Sequence, residues 1–410
     1  MIAPQPFFEP RGTPISVFQR LKGLSELGYQ VDLATYHVGE DVAIPGVNII
    51  RARRVPFVDK VKVGPSVAKI PLDMLLFFKV FWLLLRNRYD VIHSHEEAAF
   101  FAVPLARIFR IPHMYDMHSS LPRQLANYNF GNYRPIVKLF ELLENWVLKT
   151  CSVVLTIGAD LENHVLLVNR RANHIRIENI ALQSEMVYSE EEITSLKNKL
   201  GIAGKISIVY TGTFEAYQGI GMLLEGALRV SRRYPEAVFV LVGGKPEQVA
   251  HWQREAERMG AAENVVFTGI VSLDSSLVYL QMADILVSPR TEGLSVPLKL
   301  YSYLYSGKPI VATNIVAHTQ ILDEKTAVLV EPNPEAYAAG LLRLLDDPEI
   351  GARIGHNARA YAEKEFSRKN YLRKLERAYL AIIRGQRISE VAIPEKKSHS
   401  NPFAGRREDT

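Results

Sequence analysis

At 410 residues the chain has room for two domains of ordinary size, each burying its own core. Hydrophobic residues at 48% and charged residues at 23% exclude a disordered or fibrous protein, and a net charge of +5 favours anionic ligands or an anionic membrane surface while arguing for no nucleic-acid partner. The lone cysteine, Cys151, excludes an internal disulfide and a thiolate zinc cluster; beside Val153-Val154-Leu155 it is expected to be a small core residue.

Along the chain, short β-branched runs alternate with longer amphipathic ones. The opening MIAPQPFF lacks the basic start and long apolar run of a secretory signal. Met1 falls inside or just before the first expected strand, residues 2–3, which leaves that strand short. Arg11-Gly12-Thr13-Pro14 is a glycine turn that opens a helix at Pro14. Further strands are expected at 30–35, 47–52, 90–93, 113–117, 153–157 and 175–178. Between them, Arg51, Arg53, Arg54, Lys60, Lys62 and Lys69 surround an apolar Val55-Pro56-Phe57-Val58. That stretch leads into LDMLLFFKVFWLLL, which has too little polar face to be fully solvated. The two together read either as a loop and a buried helix, or as a basic, apolar patch for an anionic membrane. The most apolar segment, residues 70–85, contains Asp73 and Lys79 and is shorter than the ~20 residues a bilayer crossing needs. The chain is expected to be cytoplasmic, with peripheral contact on the inner face of the membrane.

The boundary between domains is expected between residues 179 and 201, where LQSEMVYSEEEITSLKNKLG is acidic and lacks a strand. Strands at 206–211, 238–242, 264–268, 284–288, 310–313 and 327–331 follow, with helices between them such as 220–234 and 334–345. Most strands are continuous apolar runs, the pattern of parallel strands covered on both faces. The fold class is therefore α/β: two Rossmann-like domains with doubly wound parallel sheets, at 1–180 and 200–365. Residues 366–384 form a last helix, expected to cross back to the first domain. Residues 385–410 are polar with Pro and Gly, and read as a disordered tail.

Residues 283–314, ADILVSPRTEGLSVPLKLYSYLYSGKPIVATN, are the most informative stretch. A buried strand runs into a loop with Arg290, Glu292 and Gly293, and a helix opens near Ser295 and Pro297. Gly307 and Pro309 stop that helix before another strand. In open α/β sheets, ligands bind at the carboxyl ends of strands. A helix amino terminus preceded by Gly293 and followed by Lys299 suits an anionic group, such as the phosphate of a ligand.

The second half then reads Tyr210-Thr211-Gly212-Thr213, Gln218-Gly219, VLVGG, VVFTG, ADILVSPR and SGKPIVAT; the first half has Arg11-Gly12-Thr13, LSELGYQVDLAT and YDVIHSH. In order and spacing this series resembles the family-4 retaining glycosyltransferases, whose GT-B fold sets two Rossmann-like domains across a cleft. The resemblance covers about residues 2–383. It implies a nucleoside-diphosphate sugar donor held mostly by the carboxyl-terminal domain. The acceptor, a saccharide or glycolipid such as a lipid-linked saccharide or surface polysaccharide precursor, would approach from the amino-terminal one. No metal and no other cofactor is implied. The resemblance further implies that the leaving diphosphate takes the acceptor proton itself.

Carried over residue by residue, the resemblance implies donor contacts at Gly12, Thr13, Gly212, Thr213, Glu215, Gln218, Arg290, Gly293, Leu294, Ser295, Lys299 and Ser302. It implies catalytic roles for His118 and Glu292. The family's signature has two glutamates eight positions apart. Counting from Glu292 reaches Leu300, whereas aligning on Ser306-Gly307-Lys308-Pro309 sets Leu294 and Ser302 at the two positions. A neutral Ser302 can still hydrogen-bond a ribose hydroxyl, with shorter reach. Thr213 and Gln218 stand where the family has an Arg and a Lys, so Lys299 and Arg290 are the replacement cations. The plainer readings are a helix-surface lysine, an Arg290 ion pair to Asp284 or Glu292, and a solvated Glu292. His118 reads either as a donor to the sugar or as a structural histidine, with Asp116 a weaker neighbour. His93 and His95 flank a strand end, and such a pair could suggest a metal, but no nearby acid that the family uses as a ligand is expected beside them. Two other functions compete with transfer: a nucleotide-sugar epimerase, and a non-catalytic nucleotide-sugar-binding protein.

Overall fold

The computed structural model describes residues 1–9, 12–56, 58, 61, 69–127, 134–181 and 189–392. Contacts divide the chain into two compact units. One is Met1–Asn179 with Tyr371–Thr410, and the other is Ile180–Asn370.

The first unit is built on strands β1 (Ile2–Ala3), β2 (Val31–Thr35), β3 (Val47–Arg51), β4 (Ile92–His95), β5 (His113–Met117), β6 (Val153–Thr156) and β7 (His174–Arg176). They form one sheet in the order β3-β2-β1-β4-β5-β6-β7, every neighbouring pair parallel. The short β1 is central, paired to β2 on one side and β4 on the other. The strand order reverses between β1 and β4, the switch point beside which a ligand can enter. Helices α1 (Gly12–Glu26), α2 (Lys69–Arg86), α3 (Ala99–Phe109), α4 (Leu121–Asn127), α5 (Arg134–Thr150) and α6 (Ala159–Val168) connect the strands. Leu72, Leu76, Val80 and Leu84 are the buried residues of α2, spaced four apart so that one face meets the core. The free thiol of Cys151 is pushed up to about 12 by burial, as its half-buried place beside Val154 and Trp146 requires.

The second unit has β8 (Ile206–Thr211), β9 (Ala237–Val242), β10 (Val265–Gly269), β11 (Ile285–Ser288), β12 (Ile310–Thr313) and β13 (Val328–Val330). Their order is β10-β9-β8-β11-β12-β13, again all parallel. The helices are α7 (Glu190–Lys199), α8 (Ile220–Ser231), α9 (Pro246–Met259), α10 (Leu273–Met282), α11 (Lys299–Ser306), α12 (Val316–Thr319), α13 (Pro334–Asp346) and α14 (Pro348–Glu365). Two separate apolar clusters cover the faces of this sheet, one containing Val209, Leu286 and Ala312, the other Ile208, Val287 and Val311. Adjacent residues of one strand point to opposite faces, so a strand buried on both sides must be apolar at every position.

Several boundaries move. β4 begins at Ile92 and runs to His95, not over 90–93, because Ser94 and His95 pair with Tyr115 and Asp116. α1 opens at Gly12, two residues ahead of Pro14. α11 opens at Lys299, later than the expected start near Ser295 and Pro297. α15 (Arg368–Arg384) gives its buried Tyr371, Leu375, Ala378 and Tyr379 to the first unit's side of the chain. The disordered tail expected from Gly385 is corrected over 385–392: Ile388 and Val391 are buried, and Arg377 Nε donates to the Ile388 carbonyl at 2.7 Å. The rest of that tail lies outside the described residues.

In the basic stretch, Arg51 is a structural residue: its guanidinium donates to the Phe7 carbonyl at 2.7 Å and to the Asp41 carboxylate at 2.6 Å. Arg53 and Arg54 are exposed, while Lys60 and Lys62 lie outside the described residues. Among the described residues no helix is long and apolar enough to cross a membrane.

Candidate functional site

In the second unit the loops after β8 and β11 lock together at the carboxyl edge of the sheet. Thr291 N donates to the Tyr217 carbonyl at 3.0 Å. The Arg290 guanidinium lies over the Tyr217 ring, 4.9 Å from its centre. Gly219 (φ 71°) permits this contact, since a Cβ there would stand 2.0 Å from the Pro289 carbonyl oxygen. Gly293 (φ 127°) does the same for Arg290, whose Nη2 would be 2.2 Å from an added Cβ. Arg290 Nε donates to the Glu292 carbonyl at 2.7 Å and Nη1 to the Ser295 carbonyl at 3.2 Å. These bonds hold residues 292–295 as a loop and delay the start of α11.

Lys299 is the first residue of α11, and its side chain turns inward. The ammonium sits 3.9 Å from the centre of the Tyr210 ring, is itself buried, and makes no hydrogen bond among the described residues. Burial, reinforced by the nearby Arg290 charge, holds it well below the usual lysine value. Behind it, His318 joins two strand ends. Its Nδ1 donates to the Thr313 carbonyl at 2.8 Å, and its Nε2 is hydrogen-bonded to Ser288 Oγ at 3.0 Å. Burial lowers its pKa to about 4, which keeps the imidazole neutral near pH 7. From α11, Tyr303 OH accepts from Thr211 N at 2.9 Å and ties the helix to β8.

In the first unit a buried polar cluster lies at the carboxyl ends of β4 and β5. Arg20 of α1 donates through Nε to Asp116 Oδ2 at 2.8 Å and through Nη2 to the Ile177 carbonyl at 2.9 Å. Around the same carboxylate stand His93 Nε2 at 3.3 Å and His118 Nε2 at 3.4 Å. His95 Nδ1 is 3.0 Å from His118 Nε2, and Tyr379 OH is 2.6 Å from His93 Nδ1. Burial lowers His93, and it lowers His95 further with help from the His93 charge. Burial alone would raise Asp116, but Arg20 and then His118 outweigh it and hold the carboxylate well below its ordinary range. Next to the cluster, burial pushes Glu96 up to about 7, and Ser119 Oγ donates to its Oε2 at 2.7 Å.

Could the cluster hold a metal? His93, His95 and Asp116 bring ligand atoms within 4.8 Å of one another. The expectation of no acid beside the two histidines is thus corrected, because pairing of β4 with β5 sets Asp116 opposite His95. The Arg20 guanidinium already neutralises that carboxylate, so a divalent ion would face a fixed positive charge on the same group.

The Glycosyltransferase Family 4 pattern matches residues 10–177, and the pattern of glycosyl transferases group 1 matches residues 205–347. The chain belongs to the family-4 glycosyltransferases, with the GT-B fold. Among its relatives is the sulfoquinovosyl transferase SQD2 of Arabidopsis thaliana, 25% identical over 88% of this chain and 69% of that one. Another is the alpha-monoglucosyldiacylglycerol synthase of Acholeplasma laidlawii, 22% identical over 91% of this chain and 94% of that one. Among solved structures, Anabaena HepE in complex with UDP and glucose superposes with a TM-score of 0.71, at 18% identity, covering 93% of this chain and 99% of that one.

Within this glycosyltransferase the expected donor residues fall into distinct environments. Gly212, Thr213, Glu215, Gln218, Arg290, Gly293, Ser295 and Lys299 all belong to the two interlocked loops and the start of α11. Glu215 accepts from Gln248 Nε2 at 3.2 Å, and Gln218 has a buried Oε1 with no partner among the described residues. Leu294 and Glu292 are exposed, and Ser302 is buried within α11. Arg290 pairs with neither suggested acid: its bonds go to loop carbonyls, while Asp284 accepts from Ser207 N at 2.7 Å. Gly12 and Thr13 begin α1, and Arg11 lies outside the described residues. Sequence reading missed Tyr210, Tyr217, Tyr303 and His318 around Lys299 and Arg290, and Arg20, Glu96 and Tyr379 around His118. Aromatic and buried charged residues carry no spacing signal when their partners are distant in sequence.

The buried neutral histidines make the fold acid-sensitive. His318 is lowered to about 4 and His113 to about 3, both by burial. The unfolded imidazoles take up protons below about pH 6.5 while the folded ones do not, so stability is present above that pH and is lost as pH falls towards 4. Urea titrations from about pH 7 to 4.5 should give up to about 1.4 kcal/mol of loss per pH unit for each such group. His318→Asn should reduce that slope.

Proposed function

We propose that this glycosyltransferase moves a sugar, with retention of anomeric configuration and without a metal, from a nucleoside-diphosphate sugar to a glycolipid or lipid-linked saccharide. The observation that carries the reading is the buried Lys299 ammonium, which has no hydrogen-bond partner among the described residues. Burying an ammonium without a hydrogen-bond partner is costly. A diphosphate beside Lys299 and Arg290 would relieve that cost, and the two cations would stabilise the charge that develops on the leaving group. In the reaction the bond from anomeric carbon to phosphate oxygen breaks. A bond forms to the acceptor oxygen, and the hydroxyl proton passes to the departing diphosphate. His118, with Nε2 engaged by Asp116 and His95, keeps Nδ1 as the ring atom for a substrate hydroxyl. Glu292, exposed in the loop, is assigned to sugar or ribose hydroxyls, and Ser302 to the ribose.

Support for the donor class comes from HepE, solved with UDP and glucose. Support for a lipid acceptor comes from the monoglucosyldiacylglycerol synthase and from a phosphatidyl-myo-inositol mannosyltransferase of Mycobacterium leprae. We place the enzyme in the cytoplasm, peripheral on the inner face of the membrane. Purified protein, a panel of nucleotide sugars and membrane lipid extract should release nucleoside diphosphate only when the extract is present, at a rate EDTA leaves unchanged. Epimer formation without extract would turn the assignment to an epimerase. Tight donor binding without turnover would turn it to a binding protein, the reading that buried Ser302 in place of a glutamate favours.

A further inference from the structure

We propose that the outer face of α2, flanked by α3 and α5, is the surface through which the chain docks on an anionic lipid bilayer. Ile70, Met74, Phe78, Trp82 and Leu85 are each 49–59% exposed. At about 100° per residue they fall within an arc of roughly 120°, opposite the buried Leu72, Leu76, Val80 and Leu84. The outward face of a helix at a protein surface is ordinarily its polar one; here that arc holds no charge. About half of each large side chain amounts to roughly 500 Å² of apolar surface, at the upper end of what a soluble monomer exposes as one patch.

The neighbouring helices extend the face. α3 packs between the other two, through Phe77–Phe101 and Phe81–Phe109 on one side and Phe100–Phe140 on the other. Ile108 of α3 is exposed, and so is a second apolar stripe on α5, Ile136, Leu139 and Leu142.

Charge selects the occupant. Arg86 stacks on Trp82, 4.0 Å from the ring centre, where a guanidinium can reach a lipid phosphate while the indole enters the interface. Arg107, Arg134, Lys138 and Lys149 are the other exposed cations of the three helices, against one exposed carboxylate, Glu141. Apolar side chains rimmed by cations match the boundary between headgroups and acyl chains. The helix lies on that boundary, since no described helix can cross a membrane. This inference adds a surface to the proposed glycolipid reading, yet its residues stand apart from those assigned to sugar transfer.

The test uses the full chain and vesicles of phosphatidylcholine, alone or with about 30% phosphatidylglycerol. We expect co-sedimentation only with the anionic vesicles, weakening as salt rises from about 0.1 to 0.5 M. Brominated acyl chains should quench tryptophan emission in the parent chain and much less in Trp82→Phe. Met74→Gln with Phe78→Gln should weaken vesicle binding at least about tenfold, with circular dichroism and nucleoside-diphosphate affinity unchanged. Absence of vesicle binding, or binding indifferent to the double substitution, would overturn the proposal. So would a dimer that the substitution dissolves without any vesicle binding, which would make a second copy the occupant. Vesicle binding without sugar transfer would instead leave this surface standing and sink the proposed reaction.

Discussion

Lys299→Met is expected to lower the affinity for a nucleoside diphosphate by about 50- to 100-fold, roughly 2.5 kcal/mol, and to leave nucleoside affinity within about twofold. Methionine keeps an apolar stem against Tyr210 and removes only the ammonium. The same substitution should raise the melting temperature of the free protein, because it removes a buried amino group that has no hydrogen-bond partner among the described residues. A lysine with only a structural role would give the opposite pair of results. Proton linkage supplies a second readout. The free ammonium is held well below the usual lysine value by burial and by Arg290. A diphosphate favours the charged form and raises that value, so binding takes up a proton wherever the free side chain is neutral. Affinity should therefore fall as pH rises past the free-state pKa. Calorimetry in buffers of different ionisation enthalpy should detect uptake of up to one proton in the parent and none at this site in Lys299→Met. Equal loss for nucleoside and nucleoside diphosphate would refute the phosphate role.

Arg20→Met is expected to destabilise the protein by about 3–5 kcal/mol, the cost of leaving a buried carboxylate without its cation. Both partners are almost fully buried, with Arg20 Nε 2.8 Å from Asp116 Oδ2. Arg20 also donates to the Ile177 carbonyl and stacks on Tyr371, 5.3 Å from the ring centre, so three segments of the first unit converge on one guanidinium. Adding Asp116→Asn should recover part of the loss by removing the stranded charge. Urea unfolding at neutral pH reads both effects. A loss under about 1 kcal/mol for the single substitution would mean that the histidines alone satisfy Asp116.

Much of the architecture is legible in the residues. Continuous apolar runs such as Val153-Val154-Leu155 and Val238-Phe239-Val240-Leu241 announce parallel strands, because a strand covered on both faces tolerates no polar position. The same local logic finds the loop with Arg290 and Gly293 and the cation at the start of α11. It fails where the partner is remote. Nothing near Arg20 in the chain signals a carboxylate ninety-six positions away. His93-Ser94-His95 carries no sign that Asp116 will stand beside it, since that depends on how β4 and β5 pair. The tail after Gly385 misled in the other direction: Ile388 and Val391 look isolated among polar residues, yet both are buried in the fold.

By itself, then, the sequence determined the alternation of strand and helix, the two parallel sheets, the glycosyltransferase family and the cation-bearing loop at a strand end. The family rests on the resemblance of the whole motif series; the others rest on periodicity, glycine positions and short-range order, which neighbouring residues decide among themselves. Only the tertiary structure decided that the Lys299 ammonium is buried without a hydrogen-bond partner among the described residues, that Arg20 and three histidines share Asp116, and that the apolar face of α2 is left open to solvent. Burial, charge pairing and exposure are properties of which surfaces meet, and those are settled by contacts between residues far apart in the chain.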